Sequence, residues 1–211
     1  MAKHNLINPG ILEVICGPMF SGKTFELIHR VEKLKYHQGS KYNFFKPARD
    51  TRTPKVKTRF NGLEMDCFNI DDPAEILNKV EPGCHLVGID EAQFCDQGLI
   101  EVVEKLLKND INVIVAGLDM DYRGEAFGVM AELLAMADHV EKLFAACFYP
   151  NCSRKATRTQ RLVNGCPAHY DDDIIIVEGS GDEIYEARCL KHHCVPGKYK
   201  DNVCLLDHAQ R

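Results

Sequence analysis

The stretch from Gly17 to Thr24 carries the residue pattern with the clearest chemical meaning. It matches the Gly-x-x-x-x-Gly-Lys-[Ser/Thr] pattern of phosphate-binding loops without a mismatch. Glycines at both ends let the backbone curl, so that successive N–H groups point at phosphate oxygens. Lys23 is placed to neutralise the outer phosphates of a nucleoside triphosphate, and the Thr24 hydroxyl is a ligand for Mg²⁺. The pattern therefore predicts binding of ATP together with Mg²⁺.

Two neighbouring acidic residues, Asp90 and Glu91, follow an apolar stretch further along the chain. In proteins with this loop, an Asp at the end of such a strand holds Mg²⁺ directly or through water. Because Glu91 is one residue further on, we expect it to face a different direction, toward a substrate or a water molecule. In a helicase-type ATPase this Glu activates water, whereas in a kinase it accepts the proton of an acceptor hydroxyl. A helicase motor generally needs two such domains, so this single domain favours the kinase.

Cysteine and histidine residues in the last third of the chain have the spacing of zinc ligands. Cys147 and Cys152 are separated by four residues, and Cys189-Leu190-Lys191-His192 supplies a Cys-x-x-His pair. Together they predict a closed Cys₃His site whose Zn²⁺ stabilises a region too small for its own core. The fourth ligand stays open at this stage, because the neighbouring candidates include His193, Cys194 and Cys166.

The elements that must position these residues follow from the apolar pattern. The predicted strands cover residues 11–16, 42–45, 85–90, 111–117 and 142–146, and the predicted helices cover about 24–38, 73–80, 99–109 and 130–136. Residues 53–66 are polar and without period, which predicts a loop. Apolar strands alternating with helices predict an α/β fold, a parallel sheet with helices on both faces. With the phosphate-binding loop after the first strand, we expect the P-loop (RecA-like) form of this fold. Ligands then bind at the carboxyl ends of the strands.

The character of the chain changes after residue 146, where cysteines and short strands (157–163 and 174–178) replace the helix–strand alternation. We therefore expect a nucleotide-binding domain at 1–146 and a small zinc domain at 147–211. The net charge of -5 is not typical of a protein that binds nucleic acids non-specifically. No apolar run reaches about 18 residues, and the first residues lack a signal-peptide pattern, so we expect a cytoplasmic protein with reduced cysteines.

Several motifs, taken in order, resemble type II thymidine kinases, the family typified by the cytosolic enzyme of animals and many bacteria. They are the loop at Gly17–Thr24, the triplet Asp50-Thr51-Arg52, the stretch Ile89–Phe94, the residues Leu118, Asp119, Tyr122 and Phe127-Gly128, and the cysteine-rich tail with Tyr185. The resemblance extends from about Ile11 to His193. It implies transfer of the ATP γ-phosphate to the 5′-hydroxyl of thymidine or deoxyuridine, a salvage reaction for DNA synthesis.

The resemblance also assigns roles to residues. Glu91 is the implied general base, with Arg52 and Lys23 as the catalytic cations. The implied nucleotide site comprises Gly17, Pro18, Met19, Phe20, Ser21, Gly22, Lys23, Thr24, Asp50, Thr51, Arg52, Asp90, Glu91, Ala92 and Gln93, with Thr24 and Asp90 on Mg²⁺. The implied thymidine site comprises Met19, Phe94, Leu118, Tyr122, Phe127, Tyr185 and a lasso of Ile176, Val177, Glu178, Gly179 and Ser180.

The chain departs from the family pattern at a few positions. Its first cysteine pair is wider than the usual Cys-x-x-Cys, which puts the ligation by Cys147 and Cys152 in question. Tyr122 stands where Phe is common, and its polar neighbours place it outside the predicted core. The resemblance further implies a homotetramer with feedback inhibition by thymidine triphosphate, and partners limited to thymidine and ATP, without nucleic acid or membrane.

Overall fold

The structure, a computed structural model of the chain, describes residues 10–33, 41–48, 55–57, 64–174 and 183–199. The predicted nucleotide-site triplet 50–52 and the lasso 176–180 lie outside these residues. The described residues fall into two compact units. The first lies within Met1–Cys16, Gly22–Leu118 and Phe127–Lys142, and the second lies within Gly17–Ser21, Asp119–Ala126 and Leu143–Arg211. The boundary expected after residue 146 stays a prediction.

Strands of the first unit form a six-stranded sheet in the described part of the chain, in the order β5-β2-β6-β7-β1-β8. All of its pairings are parallel. A separate antiparallel hairpin pairs β3 with β4. The strands of this unit are β1 (Leu12–Cys16), β2 (Lys41–Pro47), β3 (Lys55–Lys57), β4 (Glu64–Asp66), β5 (Phe68–Ile70), β6 (Cys84–Ile89), β7 (Asn112–Gly117) and β8 (His139–Lys142).

Helices cover both faces of this sheet, as the α/β prediction requires. They are α1 (Lys23–Glu32), α2 (Glu75–Lys79), α3 (Gly98–Lys108) and α4 (Met130–Met136). On one face, Val14 of β1 belongs to the same buried cluster as Leu99 of α3 and Met130 of α4. Because side chains alternate along a strand, Ile15 faces the other side. Helix α1 packs against β1, β6 and β7, but none of its residues belongs to the cluster on the first face. Among the described helices, α1 therefore covers the second face of the sheet.

Two predictions about strands were wrong. The strand expected at 142–146 is in fact β8 at His139–Lys142, while Ala145–Ala146 belongs to a small separate sheet. All four residues of β8 are exposed at the edge of the sheet, so this strand has no apolar run to reveal it. The loop expected at 53–66 contains the hairpin strands β3 and β4, and the short edge strand β5 follows it. Predicted helix α1 ends at Glu32, and residues 34–40 are outside the described chain.

The carboxyl ends of three central strands lead directly into the predicted site residues. Strands β6, β7 and β1 are consecutive neighbours in the sheet. Strand β6 is followed by Asp90 and β7 by Leu118, and β1 runs into the phosphate loop at Gly17. Parallel pairing brings these ends to one edge of the sheet, where open α/β sheets bind their ligands.

The second unit is built from short antiparallel strands. They are β9 (Ala145–Ala146), β10 (Lys155–Ala156), β11 (Arg158–Val163), β12 (Cys166–Pro167) and β13 (Glu183–Arg188). Strand β11 is central to a three-stranded sheet, between β12 and β13, and β9 pairs with β10. The predicted strand at 157–163 is thereby confirmed. Among the described residues, no helix combines the length and apolar composition that a membrane crossing needs.

Candidate active site and metal cluster

The two outer glycines of the phosphate loop both have backbone conformations that disfavour a side chain. Gly17 has φ of 143°, and a Cβ there would lie 2.5 Å from the carbonyl oxygen of Leu143. Gly22 has φ of 88° and is the N-cap of α1, which begins at Lys23. The loop therefore ends where a helix N-terminus offers unpaired backbone N–H groups and a positive dipole end. This is the arrangement that binds phosphate groups in other proteins.

The middle of the loop is held by contacts that the sequence did not predict. The Met19 N–H donates to the Thr159 hydroxyl of β11 at 3.0 Å. The Phe20 ring stacks on Phe148 with ring centroids 5.2 Å apart. Phe20 also has a left-handed φ of 64°, which is unusual for a residue with a side chain. Thr159 and Phe148 belong to no recognisable loop motif, so no signal in the sequence marks them.

Thr24 and Asp90 meet as the two predicted Mg²⁺ ligands. The Thr24 hydroxyl donates to Asp90 Oδ2 at 3.0 Å. Asp90 is only 5% exposed, and its backbone N–H donates to Phe45 on the neighbouring strand. Burial raises the pKa of Asp90 to about 7, and the negative charge of Glu91 adds to the rise, while the Thr24 hydroxyl opposes it. A buried carboxylate beside a hydroxyl is the oxygen donor set that Mg²⁺ prefers, and a bound cation would favour its ionised form.

Glu91 and Gln93 form a second polar contact among the predicted site residues. Glu91 has φ of 52° and precedes the 3₁₀ turn Ala92–Phe94. The Gln93 side-chain amide donates to Glu91 Oε2 at 2.5 Å, and its oxygen accepts the Leu118 N–H at 2.9 Å. The structure thus joins two residues that the resemblance placed in the nucleotide site. Their bridge to Leu118 is not visible in the sequence, because Leu118 is 25 positions away from Gln93.

Three predicted apolar contacts to a nucleoside belong to the same unit. Phe94 and Phe127 make an edge-to-face pair with centroids 5.7 Å apart and an interplanar angle of 86°. Gly128 follows with φ of 53°, and a Cβ there would lie 2.4 Å from the Gln93 carbonyl oxygen. The turn after Phe127 therefore packs closely on the 3₁₀ turn. Phe94, Phe127 and Leu118 are all half-buried, so each leaves part of its side chain accessible.

Tyr122 lies in the second unit and is buried, with 3% of its surface exposed. The prediction that its polar neighbours keep it outside the core was wrong. Its hydroxyl lies 2.8 Å from the carbonyl oxygens of both His169 and Asp172, and the Arg161 guanidinium lies 5.3 Å from its ring centroid. These partners satisfy the polar end of the ring within the protein. Tyr185 is half-buried on β13, opposite Arg161 in the strand register.

The predicted zinc ligands come together in the second unit. Donor atoms of Cys147, Cys152, Cys189 and His192 all lie within 4.8 Å of one another. The Cys152 and Cys189 sulfurs are 4.0 Å apart, and His192 Nδ1 lies 3.6 Å from the Cys147 sulfur. Ligands on a tetrahedral Zn²⁺ with Zn–S bonds of about 2.3 Å are separated by about 3.8 Å. The cluster therefore fits a zinc ion despite the wide spacing of its first cysteine pair.

The other candidates for the fourth ligand have different partners. His193 Nε2 lies 2.8 Å from the Tyr122 carbonyl oxygen, and the Cys194 N–H donates to the Gln160 side chain. Cys166 is exposed on β12. Among the described residues, His192 is thus the histidine that joins the three thiols.

The pKa values of two cluster residues, Cys147 and His192, are shifted toward the forms that bind a metal. Burial raises the pKa of Cys147, but backbone hydrogen bonds from Cys189 and Tyr149 and the neighbouring thiols outweigh this, so the net pKa is lowered. Burial and three nearby cations lower the pKa of His192, which keeps its imidazole neutral. For Cys152 a backbone hydrogen bond from Arg154 lowers the pKa, but burial and the neighbouring thiols outweigh it and raise the pKa. A thiolate and a neutral imidazole are the forms that bind Zn²⁺.

Comparison with known proteins agrees with this geometry. The profile of the family described as "Thymidine kinase" matches residues 10–193. A curated thymidine kinase from Coprothermobacter proteolyticus is 49% identical over 190 residues, which cover 90% of this chain and 93% of that protein. The matched range includes the phosphate loop, the acidic pair and all four residues of the metal cluster. The chain therefore belongs to the thymidine kinase family.

Proposed function

We propose that this chain transfers the γ-phosphoryl group of ATP to the 5′-hydroxyl of thymidine or deoxyuridine, in nucleotide salvage for DNA synthesis. The observation that carries the proposal is the position of Glu91. It directly follows the buried Asp90, which bonds Thr24 at the end of the phosphate loop. A carboxylate next to the phosphate-binding residues is placed to take the proton of an acceptor hydroxyl as that hydroxyl attacks.

Charge stabilisation in this reaction would come from residues around the phosphates. Lys23 at the start of α1 would neutralise the phosphate oxygens, with the loop N–H groups and the helix dipole. We assign the same role to Arg52, which lies outside the described residues. Thr24 and Asp90 would hold Mg²⁺, which when bound supplies further positive charge at the phosphates. The remaining nucleotide contacts predicted from the resemblance, at Asp50, Thr51 and Ala92, stay part of this proposal.

Recognition of the base would rely on apolar and aromatic side chains. A flat pyrimidine with a methyl group favours aromatic faces and an apolar pocket. The edge-to-face pair of Phe94 and Phe127, with the half-buried Leu118, supports this role for the first unit. The other thymidine contacts implied by the resemblance are Met19, Tyr122, Tyr185 and backbone groups of the lasso 176–180, and they stay part of this proposal.

The metal cluster would hold a structural Zn²⁺ rather than a catalytic one. Four protein ligands leave no position for water, which a catalytic zinc requires. We also propose a cytoplasmic location, a homotetramer and feedback inhibition by thymidine triphosphate, all of which rest on the resemblance to the family.

The decisive experiment incubates the purified chain with ATP and Mg²⁺, with and without thymidine, and measures thymidine monophosphate and ADP. The proposal expects equal amounts of both products and little ADP without thymidine. Hydrolysis of ATP that is independent of thymidine and rises with nucleic acid would instead indicate a helicase-type ATPase. The absence of both products would refute the phosphotransfer.

A further inference from the structure

We infer that Gln93 is a positioning residue, which fixes the carboxylate of Glu91 by tying it to the backbone at the end of β7. The inference rests on the proposed function, in which Glu91 accepts the proton. It differs from the role implied by the resemblance, which places Gln93 among the nucleotide contacts.

The geometry shows a complete bridge made by one side chain. Gln93 donates its amide to Glu91 Oε2 at 2.5 Å and accepts the Leu118 N–H at 2.9 Å. With 2% of its surface exposed, Gln93 is almost inaccessible to solvent. A buried amide that makes both of these bonds has only one orientation compatible with them. The orientation of the Gln93 amide is therefore set by the backbone of Leu118, the residue that directly follows β7.

Close packing around Gln93 limits its movement further. A Cβ at Gly117 would lie 2.8 Å from the Gln93 side-chain oxygen, and a Cβ at Gly128 would lie 2.4 Å from its carbonyl oxygen. Glycine at both positions thus lets two backbone segments approach the residue. Gln93 is held from the side of β7 and from the side of the turn after Phe127. A side chain held in this way can serve as a fixed support for its neighbour.

Glu91 has a specific need for such support. Its left-handed backbone, with φ of 52°, costs on the order of 1 kcal/mol for a residue with a side chain. Such a conformation persists only where surrounding contacts determine it. A general base must also reach the reacting hydroxyl within hydrogen-bond distance, and a misplacement of about 1 Å can cost about 100-fold in rate. The bond from Gln93 restricts the last torsion of the Glu91 side chain and thereby its reach.

The test compares Gln93→Leu in the wild-type chain and in Glu91→Gln. If Gln93 acts by orienting Glu91, Gln93→Leu lowers kcat by roughly 10- to 100-fold. The KM values for ATP and thymidine should change by less than about twofold, because no substrate contact is lost. In the Glu91→Gln background, the same substitution should cause no further loss of kcat, because the oriented base is already absent.

Asn43→Leu provides the matched control. Asn43 is also a buried amide, 7% exposed, and it accepts the Glu81 N–H at 3.2 Å. Its loss removes a similar hydrogen bond within the same unit, so Tm should fall while kcat stays within about twofold. If Gln93→Leu does not fold, Gln93→Asn replaces it, since an amide one methylene shorter cannot span both partners.

The outcomes separate this inference from the proposed function. Normal turnover of Glu91→Gln would refute Glu91 as the base, and with it the role of Gln93. An impaired Glu91→Gln together with an unimpaired Gln93→Leu would overturn the inference alone. A raised KM for ATP at unchanged kcat, or losses that multiply in the double variant, would show that Gln93 acts independently of Glu91 and would also overturn it.

Discussion

Phe20 of the phosphate loop stacks on Phe148 of the cysteine-rich region, with ring centroids 5.2 Å apart and planes inclined by 27°. Phe20 also packs against a buried cluster that contains Cys147 and Cys189, two of the four predicted zinc ligands. A residue of the predicted nucleotide site therefore packs directly on the scaffold that zinc would stabilise. If the cluster binds zinc and the loop binds ATP, as proposed, this contact would couple the two binding events.

The first prediction concerns this contact. Phe148→Ala should weaken ATP binding by roughly 2- to 10-fold, since a stacked aromatic pair contributes about 0.5–1.5 kcal/mol. Titration calorimetry with a non-hydrolysable ATP analogue measures the change. Phe144→Ala is a suitable control, because Phe144 is equally exposed but pairs with Lys155. Equal affinities for the wild type and Phe148→Ala would show that the stack does not support the loop.

The second prediction concerns the proposed base. Glu91→Gln should lower kcat by about 10²- to 10⁴-fold, the usual contribution of a general base, because an amide cannot accept the proton. ATP binding should persist, since the phosphate loop is unchanged. Steady-state kinetics and an independent binding assay provide the two readouts. Turnover near the wild-type rate would exclude Glu91 from proton transfer.

The third prediction follows from the raised pKa of Asp90. The carboxyl group has a pKa of about 7 in the folded protein and an ordinary value near 3.8 when exposed. Since the folded-state pKa is the higher one, this group favours folding below about pH 4, and that contribution is lost as pH rises through 7. The loss is on the order of 4 kcal/mol. Asp90→Asn cannot ionise, so it escapes this loss.

Thermal denaturation of the nucleotide-free and Mg²⁺-free protein tests whether the Asp90 carboxyl group destabilises the fold as pH rises. The Tm of Asp90→Asn minus that of the wild type should be small at pH 4.5 and clearly positive at pH 8. The Thr24 hydroxyl can still donate to the oxygen of the introduced amide, so the bond to α1 survives. A difference in Tm that does not change with pH would contradict the raised pKa.

The fourth prediction concerns the metal cluster. Freshly purified protein should contain one zinc per chain, and Cys152→Ser should lose most of it together with several degrees of Tm. Elemental analysis and release to a chromogenic chelator measure the content. Cys166→Ser is the control, because Cys166 is exposed on β12 and lies outside the cluster. Full zinc content in Cys152→Ser would remove this residue from the ligand set.

Local sequence patterns predicted the central part of the fold and the metal cluster. Strands such as β7 are buried on both faces, so they appear as continuous apolar runs. Metal ligands are few in type and closely spaced, which makes Cys189 and His192 recognisable. The edge strand β8 was misplaced because its residues are exposed. Tyr122 was misjudged because the residues that surround it in the fold lie 39 to 50 positions away.

Contacts between distant residues account for what the sequence could not reveal about the site. The bridge from Gln93 to Leu118 and the bond from Met19 to Thr159 each depend on where the chain returns after many residues. Thr159 belongs to no motif, and the motif that contains Leu118 does not indicate a contact with Gln93. Such contacts are set by the register of strands and turns, which only the folded chain defines.

The close approach of Gly17 to the Leu143 carbonyl has a consequence for attempts to alter the phosphate donor. Any side chain at this position would collide with the Leu143 backbone, whichever triphosphate is to be bound. Mutant libraries designed to accept a different triphosphate should therefore keep Gly17 and vary the residues between Gly17 and Gly22. If Gly17→Ala were tolerated, the backbone at Gly17 and the backbone at Leu143 would have to be able to move apart.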